Sequence, residues 1–356
     1  MHIRQKRRLR DIGLWAVVGA LAGPVVPVMF NGFRLGPIVN GVILGVVIGT
    51  TSAVVENYLF QERFRRLAFS TVLLVRTVFY LTLVSAAILL VVINYQRLRK
   101  GIGIAAVFHD PDFLSFLRDG EFLAAVGFTL VASTIINFVR QINRLLGQNV
   151  LLSYITGRYH QPKEEERIFM FLDLDGSTSL AEQLGNVRYH ALLNDFFHDL
   201  TEPILWSDGE IYQYVGDEVV VTWPTARGLA DANAIRCYYR VVEKIDELAD
   251  EYRERYGLVP TFKAGLHIGR VIVAEVGDIK KEIVFHGDPV NTVSRILASC
   301  HPLGSPFLVS GDLVSRLPPI EGLASHSVGR IRLRGKGEQI ELFTFTASGY
   351  TPPRTR

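Results

Sequence analysis

Four clusters of residues in this chain have the types and spacings needed for chemistry. Residues 168–174 read IFMFLDL, an apolar run that reaches Asp173 and passes at once into Gly176-Ser177-Thr178. A strand that delivers a carboxylate beside such a turn can hold a metal–phosphate complex. The free N–H groups at the turn and helix start cradle phosphate oxygens, and the carboxylate binds the cation. Asp175, between them, can equally serve as a simple helix cap. Residues 210–223, EIYQYVGDEVVVTW, set two β-rich runs about Gly216-Asp217 and read as a hairpin with Asp217 at its turn. By itself this stretch need be no more than a hairpin. Beside Asp173 it supplies a second carboxylate, and two carboxylates on neighbouring strand ends can bridge two Mg²⁺ ions. Such ions polarise an attacking oxygen and neutralise a leaving phosphate.

The other two clusters offer an amide and cations. His286-Gly287-Asp288-Pro289-Val290-Asn291 leads into residues 292–298, and Pro289 suits a first helical turn. Asn291 and Arg295 then stand four apart on one helix face, where an Arg can meet developing phosphoryl charge. A solvated face is the structural alternative. Residues 330–336, RIRLRGK, alternate positive charge along a strand and turn. Arg334 and Lys336 there could reach a polyphosphate, or the charges could simply protect an edge strand. No Ser–His or Cys–His arrangement points to a protein nucleophile.

These residues need a scaffold that gathers strand ends, and from Arg167 onward the pattern is one of alternating strands and amphipathic helices. The N-terminal part is different. Apolar stretches at 12–30, 36–55, 69–94 and 122–139 are each long enough, at ~1.5 Å per residue, to cross a hydrocarbon core of roughly 30 Å. They predict a membrane domain over 1–140, a linker over 141–164, a catalytic domain over 165–347 and a tail over 348–356. The basic run Arg4, Lys6, Arg7, Arg8, Arg10, the connection with Arg63, Arg65 and Arg66, and the exit with Arg140 and Arg144 fall on one side. This puts both termini and the α/β half in the cytoplasm, beneath the plasma (inner) membrane.

Residues 102–117 are interrupted by His109, Asp110, Pro111 and Asp112 and read as an interfacial segment. Arg76 is expected to snorkel to the near interface. Pro24 and Pro27 kink the first span, and Gly41, Gly45 and Gly49 form a close-packing stripe. Linker residues 141–162 read as an amphipathic helix that pairs with its copy, ending in a turn at Gly157 and Pro162. No haem is predicted, since His109, the histidine near the spans, lies in a loop.

Composition sets outer limits. Among 356 residues, 49% are hydrophobic, and 38 basic against 35 acidic residues leave a net charge of +3, too small a field to argue for a nucleic acid polymer as partner. Two cysteines, Cys237 and Cys300, exclude a disulfide framework or a four-cysteine zinc site. A transporter finds little support, since no broken inverted repeat is evident and only Arg76 is charged mid-span.

In order and spacing, FLDLDGST, YVGDEVV, HGDPVNTVSRI and LRGKGE resemble the class III adenylate/guanylate cyclase catalytic domain, over about half the chain. The resemblance implies a ferredoxin-like α/β core, a head-to-tail homodimer and two sites at its interface. It implies two Mg²⁺ or Mn²⁺ ions per site, held by Asp173, Leu174 and Asp217. Gly176, Ser177 and Thr178 match the phosphate turn, Asn291 the ribose-orienting residue, and Arg295 the transition-state arginine. Arg334 falls at the phosphate-binding lysine, with Lys336 two residues on. The implied reaction converts ATP to 3′,5′-cyclic AMP and pyrophosphate. The purine-reading positions are Gln213 and Val284, with Phe285 beside them. Adenylate cyclases typically carry Lys and then Asp or Thr at those two positions, guanylate cyclases often Glu and Cys. ATP is the expected substrate, since the Glu/Cys pair is absent. A guanylate cyclase, or a cyclase-like module that only binds nucleotide or pairs with another chain, is the alternative.

Overall fold

The computed structural model describes residues 3–56, 67–118, 120–147, 149–333 and 339–347. Two compact units make up the chain, Met1–Leu145 and Leu146–Arg356.

The first unit is helical: α1 (Ile3–Ala22), α2 (Val25–Asn31), α3 (Leu35–Val55), α4 (Phe69–Lys100) and α5 (Glu121–Leu146), with short helices Ile104–Val107 and Pro111–Arg118 between the last two. Among the described residues four helical stretches are long and apolar enough to cross a membrane: Ile12–Met29, Leu35–Val55, Phe69–Lys100 and Phe122–Asn143. The first is interrupted where α1 stops at Ala22 and Pro24 leads into α2, as proline's missing N–H and ring sterics require. The glycine stripe packs α1 against α3. A Cβ on Gly45 would lie 1.9 Å from the Gly19 carbonyl oxygen, and one on Gly49 2.2 Å from that of Trp15.

Arg76 does not snorkel. It is fully buried, and its Nη2 lies 2.8 Å from Glu56 Oε1, because a guanidinium held inside a bundle needs a counter-ion. The interrupted segment after α4 forms only the two short helices, with Lys100 paired to Asp110 and Asp112 at 2.7 Å each.

In place of one helix over the linker, α5 runs on to Leu146, the backbone turns left-handed at Gly147 (φ 94°) and Asn149 (φ 59°), and a separate α6 (Val150–Thr156) ends at Gly157 (φ 63°). Tyr154 Oη of α6 donates to the Lys281 carbonyl at 2.8 Å.

The second unit is built on an eight-stranded mixed sheet. Its elements run β1 (Lys163–Leu174), α7 (Ser177–Leu184), α8 (Asn186–Trp206), β2 (Glu210–Val215), β3 (Glu218–Pro224), α9 (Asn233–Glu247), β4 (Phe262–Val276), β5 (Glu282–His286), α10 (Asp288–Ala298), β6 (Phe307–Ser310), β7 (Leu323–Arg332) and β8 (Gln339–Ala347). The strand order is β2-β3-β1-β4-β6-β8-β7, with β5 paired to β4. Its first half is a β–α–β–β–α–β unit with β1 central, antiparallel to both β3 and β4.

Centrality explains β1. Residues 167–172 are all buried, whereas a half-exposed strand would alternate. Ile168, Met170, Leu172 and Leu174 face one core with α8 and α9, while Phe169 and Phe171 face a second with Val293 and Leu297 of α10. Each such large side chain contributes roughly 1.5–3 kcal/mol by leaving water.

Candidate active site

The central strand carries the first carboxylate to the rim of the sheet. Asp173 pairs across to Glu218 on β3 and to Lys263 on β4, so an acid and a base flank it from the two neighbouring strands. Asp217 sits in the β2–β3 hairpin turn, where Gly216 takes φ +63° and Val215 pairs with Glu218. This is the hairpin the sequence predicts. It brings the Asp217 carboxyl within hydrogen-bonding reach of Asp173.

Electrostatics follow from that crowding. Burial pushes the Asp173 carboxyl up; the Lys263 ammonium opposes this and the Asp217 charge adds to it. Burial also drives Glu218 up, to about 7, reinforced by the charges of Asp173 and Asp217. Lys263 Nζ donates to Asp173 Oδ2 at 2.9 Å and lies 3.7 Å from Asp175 Oδ1. Burial alone would lower the Lys263 pKa, but the two carboxylates outweigh it and the ammonium is held charged.

The turn after β1 forms as expected. Gly176 adopts φ +66°, the left-handed conformation glycine tolerates, and Ser177 and Thr178 open α7. Leu174 buries its side chain in the core, so its carbonyl oxygen is the one ligand atom it can offer. Tyr189 of α8 reaches the same corner: its hydroxyl bonds with Ser177, and burial together with the Asp217 and Asp173 charges raises its pKa.

Asn291 and Arg295 lie on α10, with Pro289 in its first turn. Asn291 is exposed and Arg295 half-buried. Glycines in β4 seat this helix close to the sheet. A Cβ on Gly265 would lie 2.7 Å from the Leu297 nitrogen, and one on Gly269 would lie 2.4 Å from Pro289 Cγ. Among the described residues, no hydrogen bond or ion pair joins Asp173 or Asp217 to Asn291 or Arg295 within the chain. Gln213 is exposed on β2, and Val284 is half-buried on β5. Phe285 packs edge-on to Phe169 (5.5 Å) and Tyr212 (4.8 Å), with the Arg167 guanidinium 4.8 Å from its ring. That ring is occupied in the second core. Arg334 and Lys336 lie outside the described residues.

Sequence reasoning missed Lys263, Glu218 and Tyr189. Glu218 adjoins Asp217 in the chain and could have been suspected. Lys263 and Tyr189 carry no local signal and meet the site only through strand pairing and helix packing.

Residues 159–346, more than half of the chain, match the family model described as the adenylate and guanylate cyclase catalytic domain. The chain belongs to this family. Within it, adenylate cyclase 2 of Rhizobium meliloti (strain 1021) is 40% identical over 220 residues, which cover 62% of this chain and 61% of that protein. Adenylate cyclase 1 of the same organism is 26% identical over 184 residues, 50% of this chain and 27% of that protein. This cyclase-family chain therefore spans less than two thirds of either relative. A bacterial light-regulated adenylyl cyclase structure shares the fold, with a TM-score of 0.53 at 20% identity over 62% of this chain and 64% of the other.

Proposed function

We propose that this chain is a membrane-anchored adenylate cyclase that acts as a homodimer, forming 3′,5′-cyclic AMP and pyrophosphate from ATP. The observation that carries the reading is the apposition of Asp173 and Asp217 at the rim of β1, beside the Gly176 turn. Burial and the neighbouring Asp217 charge push the Asp173 carboxyl up, which marks a site in need of positive charge, and Lys263 supplies only one cation to it. The donor set of two carboxylates and the Leu174 carbonyl suits Mg²⁺ or Mn²⁺, which favour oxygen ligands. When bound, the cations would polarise the attacking oxygen and offset charge on the leaving phosphates.

The chain's own residues supply the rest. The Gly176-Ser177-Thr178 turn offers N–H groups at a helix start to the phosphates, and Arg334 and Lys336 add charge to them. Asn291 holds the ribose so that its 3′-oxygen lies in line with the α-phosphorus. Arg295 takes up charge as the new P–O bond forms and the bond to pyrophosphate breaks. With Asn291 exposed and unlinked to the carboxylates, the reading draws the α10 face from the second protomer. The four apolar stretches would anchor the chain in the plasma (inner) membrane with the catalytic unit cytoplasmic. Leu152 and Ile155, 60% and 74% exposed on α6, offer a face for linker pairing.

The test is turnover by the whole chain in phosphatidylcholine nanodiscs, with ATP and GTP side by side and Mg²⁺ or Mn²⁺ present. Cyclic AMP that disappears with EDTA, and that falls at least about a hundredfold in Asp173→Asn, is expected. Gln213, which can both donate and accept, does not discriminate between the purines, so a guanylate cyclase is the second reading. A higher kcat/KM for GTP would establish that reading instead.

A further inference from the structure

The helical unit contains a cavity of about 620 Å³. One face of α4 lines its length through Tyr80, Val84, Ile88, Val91 and Tyr95. That run of side chains spans about 22 Å at helical rise. α1 and α3, which meet backbone to backbone at the α3 glycines, also line it. The result is a long, predominantly apolar slot. Polar side chains occur along it, among them Asn40 and Tyr95 away from Asn137, but the buried amide without a partner lies at one end. Asn137 of α5 lines the slot and is 1% exposed, and among the described residues neither its Oδ1 nor its Nδ2 has a hydrogen-bond partner. Arg140, one turn on, lines the same end with its guanidinium 3.9 Å over the Trp15 ring and 3.8 Å from Glu56.

A carboxamide buried without a partner is costly, and one facing a ligand-sized cavity can be satisfied by what enters it. Asn137 Nδ2 and Arg140 present N–H donors that suit an oxygen acceptor, and Asn137 Oδ1 can accept from a protonated head or a water that enters with it. We propose that this slot binds a single-chain acyl amphiphile, its hydrocarbon along the α4 face and its carboxylate or carbonyl oxygen accepting from Asn137 Nδ2 beside Arg140. The shape, the apolar lining and the unpaired amide at one end all favour this occupant. The site is independent of the catalytic reading, since binding is measured on the whole chain without nucleotide.

The test is photoaffinity labelling of the full chain in phosphatidylcholine nanodiscs by a diazirine-bearing hexadecanoic acid, followed by peptide mapping. Saturable labelling of peptides spanning 80–95 and 125–140, displaced by unlabelled hexadecanoic acid and not by hexadecane, is expected. Asn137→Leu, close in volume, should weaken binding about tenfold, as loss of a hydrogen bond to a charged or carbonyl oxygen does, while Asn137→Gln retains most of it. Since Asn137→Leu removes an unpaired buried polar group, its melting temperature should equal or exceed the parent's, which separates lost recognition from lost folding. Three results would overturn the proposal. Labelling could be non-saturable and centred on exposed positions such as Leu74 and Val78. Affinity could be unchanged in Asn137→Leu. Finally, labelling could be absent while Ile88→Cys chains cross-link to one another, which would mean that a second copy covers the slot.

Discussion

At the scale of single residues, the candidate site is a problem of charge compensation. Asp173, Asp217 and Glu218 crowd one corner, and Lys263 is the ammonium that offsets them. Removing that ammonium should destabilise the metal-free chain and be rescued by a divalent ion. Lys263→Met is expected to lower the melting temperature in EDTA by the equivalent of about 1–2 kcal/mol, and added Mn²⁺ should stabilise it more than it does the parent. Equal stabilisation of both proteins by Mn²⁺ would refute the idea.

Glu218 gives a pH signature. Its folded pKa of about 7 is raised above the ordinary carboxylate range, so the folded state binds the proton more tightly than the unfolded one. Stability from that group is present below the unfolded pKa and falls as pH rises through the window up to about 7. In EDTA, Glu218→Gln should therefore gain about 1–2 kcal/mol over the parent at pH 8 and little at pH 4. Urea midpoints at the two pH values measure this, and a larger gain at low pH would invert the account.

At the scale of elements, glycines decide how near a helix may come. α10 sits on β4 because Gly265 leaves room for the Leu297 backbone, and the Asn291/Arg295 face is aimed by that seat. In Gly265→Ala the new methyl would meet backbone atoms 2.7 Å and 3.1 Å away, so the helix must shift. We expect about 2 kcal/mol of destabilisation by urea denaturation, with turnover falling further than stability explains. A variant of parental stability and activity would show that the close seat does not matter. Much at this scale was legible in the chain. An apolar run into Asp173 and a glycine turn marks a strand end, Tyr-Val-Gly-Asp marks a hairpin, and Asp-Pro marks a helix start. The linker was not legible as it is: hydrophobic spacing suggested one helix, whereas left-handed backbone at Gly147 and Asn149 divides it.

At the scale of the whole molecule, the proposed site is composite, and the prediction concerns pairs of chains. Asp173→Asn and Arg295→Ala should each be inactive alone. Co-expressed, they form mixed dimers in which one of the two sites carries neither change. A random mixture should then recover about a quarter of parental turnover. Mixtures no more active than either variant would sink the shared-site arrangement and leave a site made within one chain.

The sequence by itself determined the chemistry available and its local settings: carboxylates at strand ends, an amide and guanidinium one helical turn apart, and four stretches long and apolar enough to cross a membrane. These are carried by nearest-neighbour preferences and by the periods of strand and helix, which a chain displays before it folds. Only the tertiary structure decided that Lys263 stands against Asp173, that Tyr189 joins the corner, that Phe285 spends its ring on packing, and that Arg76 turns inward to Glu56. Each of those depends on which strands pair in which register or which helices touch. Such partners are distant along the chain, and folding alone brings them together.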